Sequence, residues 1–325
     1  STNWATAGNW TPAAVPIAGD SVRIPDAPAN QPVILTSTLA KAKNVFVLSG
    51  ASLVINSGAE LELASTFDAV AFTNQGTSVN NGTLRIKSGF QGIYAGGSFT
   101  NNGTLLLGEA TSTPYSFREE GIAMYDMNAG FVNNAAASIV IWRPGNNGIL
   151  MFATGTSFTN DGAIRIRTNG LNPNTAGTAD GIDVRNGSYT NNATGDIVIS
   201  TISANGLNCR GGGSFTNHGS IKIGNVGLTT SLAVREGISN NGSFDNKATG
   251  QITIDTCSNS GILNQGAFYN SGTISIGFVF ILASLAQLAL GQTLLIGVTG
   301  TIIHAIREHK GRVDWLHLAF QTAVV

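Results

Sequence analysis

The feature that most constrains the fold is a short repeat that occurs eight times between Val79 and Ile276. Each copy has an aromatic residue or a Val, then any residue, then an Asn, and soon continues into Ile-x-Ile or its equivalent. Residues 98–107 (SFTNNGTLLL) are one copy, and residues 214–223 (SFTNHGSIKI) are another. A unit of this length is too small to bury its own apolar face, so consecutive copies must stack on one another. The repeat therefore predicts a solenoid.

The spacing and the residue types of the repeat favour strands over helices. The repeated ring or Val recurs at intervals of 20 to 32 residues, with much Gly and Asn between the apolar positions, whereas helical repeats are more regular. The Ile-x-Ile pairs alternate with a period of two, which indicates strands with inward β-branched side chains. A second strand signal, Gly-Ile or a similar pair, precedes most of the rings. The chain is thus expected to form an all-β, right-handed parallel β-helix of about ten coils.

The ring and the Asn of each copy are two residues apart, so they face the same side of an extended strand. In stacked coils the rings should then fill the core and the amides should hydrogen-bond along the axis. The predicted structural ladder consists of Asn81, Asn101, Asn133, Asn160, Asn191, Asn217, Asn246 and Asn270, with Phe99, Phe131, Phe158, Phe215, Phe244 and Phe268. These residues are interpreted as structural, with no catalytic role.

Composition narrows the function classes. Only 11% of the residues are charged and the net charge is −1, so a general electrostatic attraction to nucleic acid is not expected. The two Cys fall at different points of the repeat, which favours separate thiols over a disulfide. The first residue is Ser, and removal of a secretory signal peptide is the preferred explanation, with loss of an expression tag as the alternative. An extracellular or cell-surface location is the resulting expectation.

The N-terminal motif points to a known group of proteins. Residues 9–12 (NWTP) are followed by residues 15–25 (VPIAGDSVRIP). This segment resembles the opening of bacterial secreted and cell-surface repeat proteins with a right-handed parallel β-helix of the pectin-lyase-like class, over about residues 3–60. The resemblance implies that residues 1–40 hold an N-terminal cap and the first strands, and Trp4 and Trp10 are suited to covering the open first coil.

Polysaccharide-processing enzymes share this architecture, so a catalytic site is one alternative for this chain. Asp180 and Asp183, with His218 about one coil later, resemble the segments that form the inverting hydrolase site of polygalacturonases. That family also requires an Asp-Asp pair between these segments, and residues 206–210 (GLNCR) contain no carboxylate. The sequence therefore predicts no catalytic residues, no cofactor and no metal site, and a polysaccharide hydrolase or lyase remains the alternative.

Aromatic residues between the second and fourth repeated rings are a weaker clue. Tyr94, Tyr115, Tyr125, Trp142 and Phe152 cluster in this part of the sequence. Rings that are out of step with the inward positions are suited to a sugar or to a neighbouring protein, although partial packing in the core is preferred.

The repeat stops after Ile276, and residues 278–306 contain no charged residue across 29 positions. Three alternatives remain for the tail: a cap or intersubunit segment, a membrane anchor, or sequence that is not native to the repeat protein. The residues predicted to assemble or to anchor are Phe278, Phe280, Leu282, Leu285, Leu288, Leu290, Leu294 and Leu295.

Taken together, these patterns predict three parts: residues 1–40 (cap), residues 41–277 (β-helix) and residues 278–325 (apolar C-terminal segment). The predicted function is an extracellular structural protein, either a filament subunit or a cell-surface adhesin. The expected partners are further copies of the chain through its ends and a cell-surface glycan, with membrane contact through residues 278–306 as an alternative.

Overall fold

The computed structural model describes residues 2–26, 30–111, 115–167, 179–200, 202, 204–224, 234–255 and 257–276. Within these ranges the ordered elements are almost all strands, and the one helical element is a 3-10 turn at Ala7–Asn9. Short strands and a lack of helix agree with the Gly-rich and Asn-rich sequence.

Each coil of the chain contributes three strand positions. The first position is held by β1 (Ser21–Ile24), β4 (Asn44–Val47), β7 (Phe72–Asn74), β10 (Ile93–Ala95), β13 (Ile122–Met124), β16 (Ile149–Met151), β23 (Val234–Asn240) and β26 (Cys257–Asn264). The second position is held by β2 (Val33–Ile34), β5 (Ser52–Ile55), β8 (Thr77–Asn80), β11 (Ser98–Asn101), β14 (Gly130–Asn133), β17 (Ser157–Asn160), β24 (Ser243–Asn246) and β27 (Ala267–Asn270). Two long strands cover both positions, and these are β19 (Ile182–Asn191) and β21 (Asn205–Asn217). The third position is held by β3 (Leu39–Ala42), β6 (Glu60–Leu63), β9 (Thr83–Ile86), β12 (Thr104–Leu107), β15 (Ser138–Trp142), β18 (Ala163–Arg167), β20 (Asp196–Ser200), β22 (Ser220–Ile223), β25 (Gln251–Ile254) and β28 (Thr273–Ile276).

Every strand pairs in parallel with its equivalent in a neighbouring coil. The first and second positions form an 18-stranded sheet, and the third positions form a 10-stranded sheet. The register carries each repeated ring onto the next, as in Phe99 opposite Phe131 and Phe131 opposite Phe158. The predicted all-β parallel β-helix is thus confirmed, and the ten third-position strands bound about nine turns.

The core lies between the two sheets. Along the third-position strands, side chains alternate between buried and partly exposed, and both members of pairs such as Ile139 and Ile141 are fully buried. Removal of these apolar faces from water is the main stabilising contribution, at roughly 25 cal/mol per Å². Each coil supplies only part of the core, so the coils depend on their neighbours.

Close contacts between coils explain the recurring Gly of the repeat. A Cβ atom built on Gly103 would lie 2.1 Å from the carbonyl oxygen of Gly82, one coil earlier. No side chain fits at that distance, so this turn position requires Gly.

A cap covers part of the first coil. Trp4 is almost fully buried, and its ring meets Trp10 edge to face with centroids 4.7 Å apart. The Trp4 amide donates to the carbonyl of Val33 at 2.9 Å, and the Val33 amide donates to the carbonyl of Thr2 at 2.7 Å. Residues 2–4 therefore pair with the outer edge of β2, and the two tryptophan rings lie against the core as their sequence position suggests.

The chain divides into two compact units, Ser1–Ile276 and Gly277–Val325. The first unit contains all the strands described above. The predicted apolar segment 278–325 lies outside the described residues.

Candidate functional site on the lateral face of the solenoid

The amides of the second-position strands form one column, called here the amide column, which is buried from Asn80 to Asn246 and exposed at its last member, Asn270. The Nδ2 of each member donates to the Oδ1 of the next member, at 2.7 or 2.8 Å in all seven links. Its members are Asn80, Asn101, Asn133, Asn160, Asn191, Asn217, Asn246 and Asn270. The second Nδ2 hydrogen often reaches a turn carbonyl, as Asn160 does at Gly162. Members inside the column thus have few polar atoms left for a ligand.

One predicted member of the amide column is corrected by the structure. Val79 resembles the apolar residue of the other copies and so predicts Asn81 as the member, but Ser78 lies opposite Phe99 and Asn80 lies opposite Asn101. The hydroxyl of Ser78 is buried and donates to the Oδ1 of Asn74 at 2.7 Å. The outward Val79 therefore shifted the sequence alignment by one residue.

Asn81 instead lies at the turn, outside the core. Its Oδ1 accepts a hydrogen bond from Asn102 at 2.8 Å, and Asn102 in turn accepts one from Asn134 at 2.5 Å. These bonds join exposed side chains, so they form a shorter outer row beside the buried amide column.

The repeated rings form a second buried column. From Phe99 to Phe268 each ring stacks on the next, with centroids 4.7 to 5.1 Å apart and planes within 7°. Tyr189 replaces Phe at one step of this ring column, and Phe72 meets Phe99 edge to face. The spacing equals that of neighbouring strands, so ring stacking follows directly from the parallel register.

A third column was not predicted from the sequence, and we call it the mixed column. It lies at the residue before a Gly in six successive coils, at or near the start of the first-position strand, and it alternates between an amide and a carboxylate. From coil to coil its members are Gln91, Glu120, Asn147, Asp180, Asn205 and Glu236, all at least 95% buried. Several members bond to their neighbours: Gln91 Nε2 donates to Glu120 at 2.8 Å, and Asn205 Nδ2 donates to Asp180 at 2.8 Å.

Asp180 and Asp183, the two carboxylates that look catalytic in the sequence, lie together at the mixed column. Asp180 Oδ1 accepts from the amide nitrogen and from Nδ2 of Asn205, while Asp180 Oδ2 accepts from Asn208 Nδ2 at 2.8 Å. Asp183 accepts from Arg185 Nε at 2.8 Å and from Arg210 Nε at 3.0 Å. Both carboxylates are buried, and all four of their oxygens are engaged.

Burial governs the protonation of these acids. Loss of water raises the pKa of Asp180, the nearby charge of Asp183 raises this pKa further, and the Asn208 hydrogen bond opposes the change. Burial also raises the pKa of Glu120, against the hydrogen bond from Gln91. An inverting hydrolase needs one acid at the glycosidic oxygen and a second carboxylate at a water, whereas these acids are buried and accept hydrogen bonds from protein groups.

His218 is not brought to this cluster. It follows Asn217 at the turn after β21, whereas Asn205 and Asn208 lie at the other end of that strand. The carbonyl of His218 accepts a hydrogen bond from Thr249 Oγ1 at 2.8 Å, which is a contact between successive turns. The structure therefore separates the third member of the polygalacturonase-like set from the first two.

Three of the predicted aromatic residues form an outer ring row beside the mixed column. Tyr94 and Tyr125 lie with centroids 6.0 Å apart, and Tyr125 and Phe152 lie 5.4 Å apart. The guanidinium of Arg185 lies over the ring of Phe152, 5.6 Å from its centroid. Tyr94 donates its hydroxyl hydrogen to Asp126 at 2.7 Å. Burial, followed by that hydrogen bond, raises the pKa of Tyr94 to about 12.

The other two predicted aromatic residues lie elsewhere. Tyr115 packs edge to face on Phe67 at 5.7 Å, and Trp142 lies at the end of β15 under the guanidinium of Arg167 at 5.5 Å. The sequence cluster is thus divided among separate surfaces.

Sequence signals existed for the residues that were missed. The mixed column always precedes Gly, but its residue type changes at every coil, so a search for a repeated residue does not find it. Asn80 is two residues before Gly82, as Asn101 is before Gly103, so alignment on Gly gives the observed register.

The described residues also bear on the cysteines, on metal sites and on membrane-spanning helices. Cys209 and Cys257 are free thiols, and burial raises the pKa of Cys209 to about 11. Among the described residues, no group of three or more His, Cys, Asp and Glu is arranged to hold a metal ion. No helix in the described ranges has the length and apolar character needed to cross a membrane. The predicted assembly or anchor residues, from Phe278 to Leu295, lie beyond those ranges.

Comparison with known proteins gives one partial match. A family model described as "Domain of unknown function (DUF8693)" matches residues 1–100, which include the cap and the first coils. No curated protein and no solved structure matches the chain. The N-terminal third of the chain is therefore similar to a family whose function is not stated.

Proposed function

We propose that this chain is an extracellular structural protein, a filament subunit built on a rigid β-helical rod. We further propose that it belongs with the bacterial cell-surface proteins of the right-handed, pectin-lyase-like class. The N-terminal motif in residues 3–60 supports that assignment. On this proposal the rod acts through its surface and its ends, without a catalytic pocket.

The amide column is the observation that carries the proposal. Seven consecutive hydrogen bonds of 2.7 or 2.8 Å join eight coils, and the ring column lies beside them in the same strands. Each coil is thus tied to the next by backbone, amide and ring contacts. In a repeat protein, stability is a sum over such neighbour contacts, so this arrangement favours a long, stiff element.

The state of the candidate acids supports a function without catalysis. The oxygens of Asp180 and Asp183 all accept hydrogen bonds from Asn and Arg side chains or from the backbone, and both carboxylates are buried. A polysaccharide hydrolase needs one acid and one base in contact with substrate and water. The contacts of these two residues serve the packing of β19 against β21.

The outer ring row favours a cell-surface adhesin as the second candidate. Phe152 is 43% exposed and Met127, beside the Tyr94–Asp126 contact in sequence, is 72% exposed. Exposed aromatic and Met side chains are enriched where proteins meet partners. A rod that presents such a row is suited to contact a glycan or a protein on another cell.

Imaging of the purified full-length chain over a concentration series tests the filament proposal. We expect unbranched fibres one solenoid wide in electron micrographs, with light scattering that rises with concentration. Separate rods at every concentration would contradict a filament subunit. Rods bound to added lipid vesicles would favour an anchored adhesin.

An activity assay on acidic polysaccharides tests the absence of catalysis. We expect no new reducing ends or unsaturated products from the wild-type chain. Cleavage that disappears in Asp180→Ala but persists in Asp161→Ala, a carboxylate at a different turn, would establish the enzyme alternative.

A further inference from the structure

At each end of the described solenoid, the last strand of the 10-stranded sheet has one edge without a partner strand among the described residues. β3 pairs only with β6, and β28 pairs only with β25 among the described residues. Both terminal strands have four residues and run in the same direction as the rest of the sheet. Unpaired edges of this kind are templates for a further strand.

The cap leaves this edge of the sheet accessible. Residues 2–4 pair with the outer edge of β2, in the 18-stranded sheet, through the Asn3 to Val33 bridge. β3 has no such partner in the described part of the chain. Trp10 is half-buried against the core, so the N-terminal end presents both an open strand edge and a partly exposed apolar ring.

Exposed apolar side chains concentrate at the same two ends. Ten large apolar side chains are exposed among the described residues. Seven of them lie in the first 39 residues or in the last coil: Val15, Ile17, Leu35, Leu39, Leu263, Tyr269 and Ile276. Such clustering marks surfaces that become buried on association.

The existing register predicts how the two edges would meet. If one more coil continued the pattern, Ile274 would lie opposite Ala40 and Ile276 opposite Ala42, with Ser275 opposite Lys41. Small inward Ala side chains leave room for the two large Ile side chains. Lys41 is held outward by Glu62 at 3.6 Å, so its charge does not enter the joint.

We propose that β28 of one copy pairs in parallel with β3 of a second copy, so that the 10-stranded sheet continues from subunit to subunit. This inference rests on the filament function and names the joint that it uses. The partner is a second copy of this chain, because strand length, direction, register and side-chain size match between the chain's own two ends.

Cysteine cross-linking of the full-length chain tests the joint. Directly opposed residues on neighbouring strands have a Cα separation suited to a disulfide. We expect the double variant Lys41→Cys/Ser275→Cys, after mild oxidation, to give a ladder of covalent multimers on denaturing gels that reducing agent removes. Each single variant, which retains both native thiols, is expected to stay monomeric on the same gel. As a second control, Lys222→Cys/Ser275→Cys places one thiol on an outward position of β22, and multimers from this pair at equal yield would contradict a specific joint.

A variant with a charge at the joint shows whether the β28–β3 joint is wrong or the filament function itself is wrong. Ile276→Lys puts an ammonium on the inward face of β28, and we expect at least a tenfold loss of fibre mass at fixed concentration. Thr273→Lys, on the outward face of the same strand and opposite Leu39 in that register, is expected to retain fibres. Fibres that form equally in wild type and Ile276→Lys, without cross-links from the double variant, would overturn the β28–β3 joint and leave the filament function standing. A wild-type chain that forms no fibres at all overturns the filament function itself.

Discussion

Two polar columns run along this solenoid, one at each end of β21, and they are built on different rules. The amide column repeats one residue type, and each Asn from Asn101 to Asn246 both donates to one neighbour and accepts from the other, so that only Asn80 Oδ1, at the end of the column, is buried without a partner. The mixed column alternates amides with carboxylates, and it leaves two buried atoms without a hydrogen-bond partner, Asn147 Nδ2 and Asn205 Oδ1. An uncharged residue that both donates and accepts satisfies itself when it is repeated, whereas a carboxylate only accepts and requires donors from outside its column.

The arginines around the mixed column show where those donors come from. Arg210 contacts both Asp180 and Asp183, and Arg235 contacts Glu236 at 2.6 Å. These guanidinium groups are about half exposed, while the carboxylates are buried. The mixed column is therefore tied to the solvent-facing surface, and the amide column is independent of it.

The largest expected effect comes from placing a charge in the amide column. In Asn160→Asp the side chain no longer donates to Asn191 Oδ1 or to the Gly162 carbonyl, and a carboxylate is buried between two amides. We expect a loss of roughly 3 kcal/mol or more in the free energy of unfolding, measured by urea unfolding followed by circular dichroism.

Asn102→Asp is the matched control, because Asn102 makes equivalent contacts in the exposed outer row. We expect a change of about 0.5 kcal/mol or less there. Equal losses in the two variants would show that burial does not distinguish the amide column from the surface row.

In the mixed column, removal of a buried carboxylate is expected to have a smaller effect on the free energy of unfolding, and one of opposite sign. Burial raises the pKa of Glu120 in the folded chain, so the folded state favours the protonated acid. This contribution to stability is fully present below the unfolded pKa of about 4.3 and is lost as pH rises through the higher folded pKa. Glu120→Gln lacks the titration, so the stability of this variant relative to wild type should increase as pH rises above about 4.3.

The groups that face Glu120 define the control. Gln91 and Asn146 donate to its carboxylate, and Glu119, Tyr125 and Arg185 contribute nearby charge or hydrogen bonds. Glu119→Gln removes the neighbouring, partly exposed carboxylate and keeps Glu120. Urea unfolding midpoints of wild type and both variants between pH 3.5 and 8 provide the measurement. A Glu120→Gln chain that is destabilised relative to wild type at every pH, with no trend, would contradict a raised pKa.

The difference between the two columns also explains which parts of the structure could be predicted from the sequence. Asn101, Asn133 and Phe131 were predictable because identical residues stack on identical residues, so the physical requirement appears as a repeat. Glu120 and Asp180 were not, because alternating partners leave no repeated letter. The error at Asn81 arose where the ring was replaced by Ser78, which fills the inward position with a hydroxyl.

The smallest predicted effect concerns the one polar atom that departs from the uniform ring column. Tyr189 stacks at 4.8 Å on Phe158 and at 4.7 Å on Phe215, and its hydroxyl is buried without a hydrogen-bond partner. Tyr189→Phe removes this unsatisfied group and keeps the stack, so we expect the free energy of unfolding to increase by about 1 kcal/mol.

Tyr269→Phe is the control for that substitution, since the Tyr269 side chain is exposed and the same change should alter stability by less than about 0.5 kcal/mol. A loss of stability in Tyr189→Phe, detected in the same urea titration, would mean that the hydroxyl is stabilising where it lies. The ring column would then contain a stabilising polar group, as the mixed column does. A gain would instead show that uniformity itself stabilises the solenoid, because the departure from the repeat is what costs free energy.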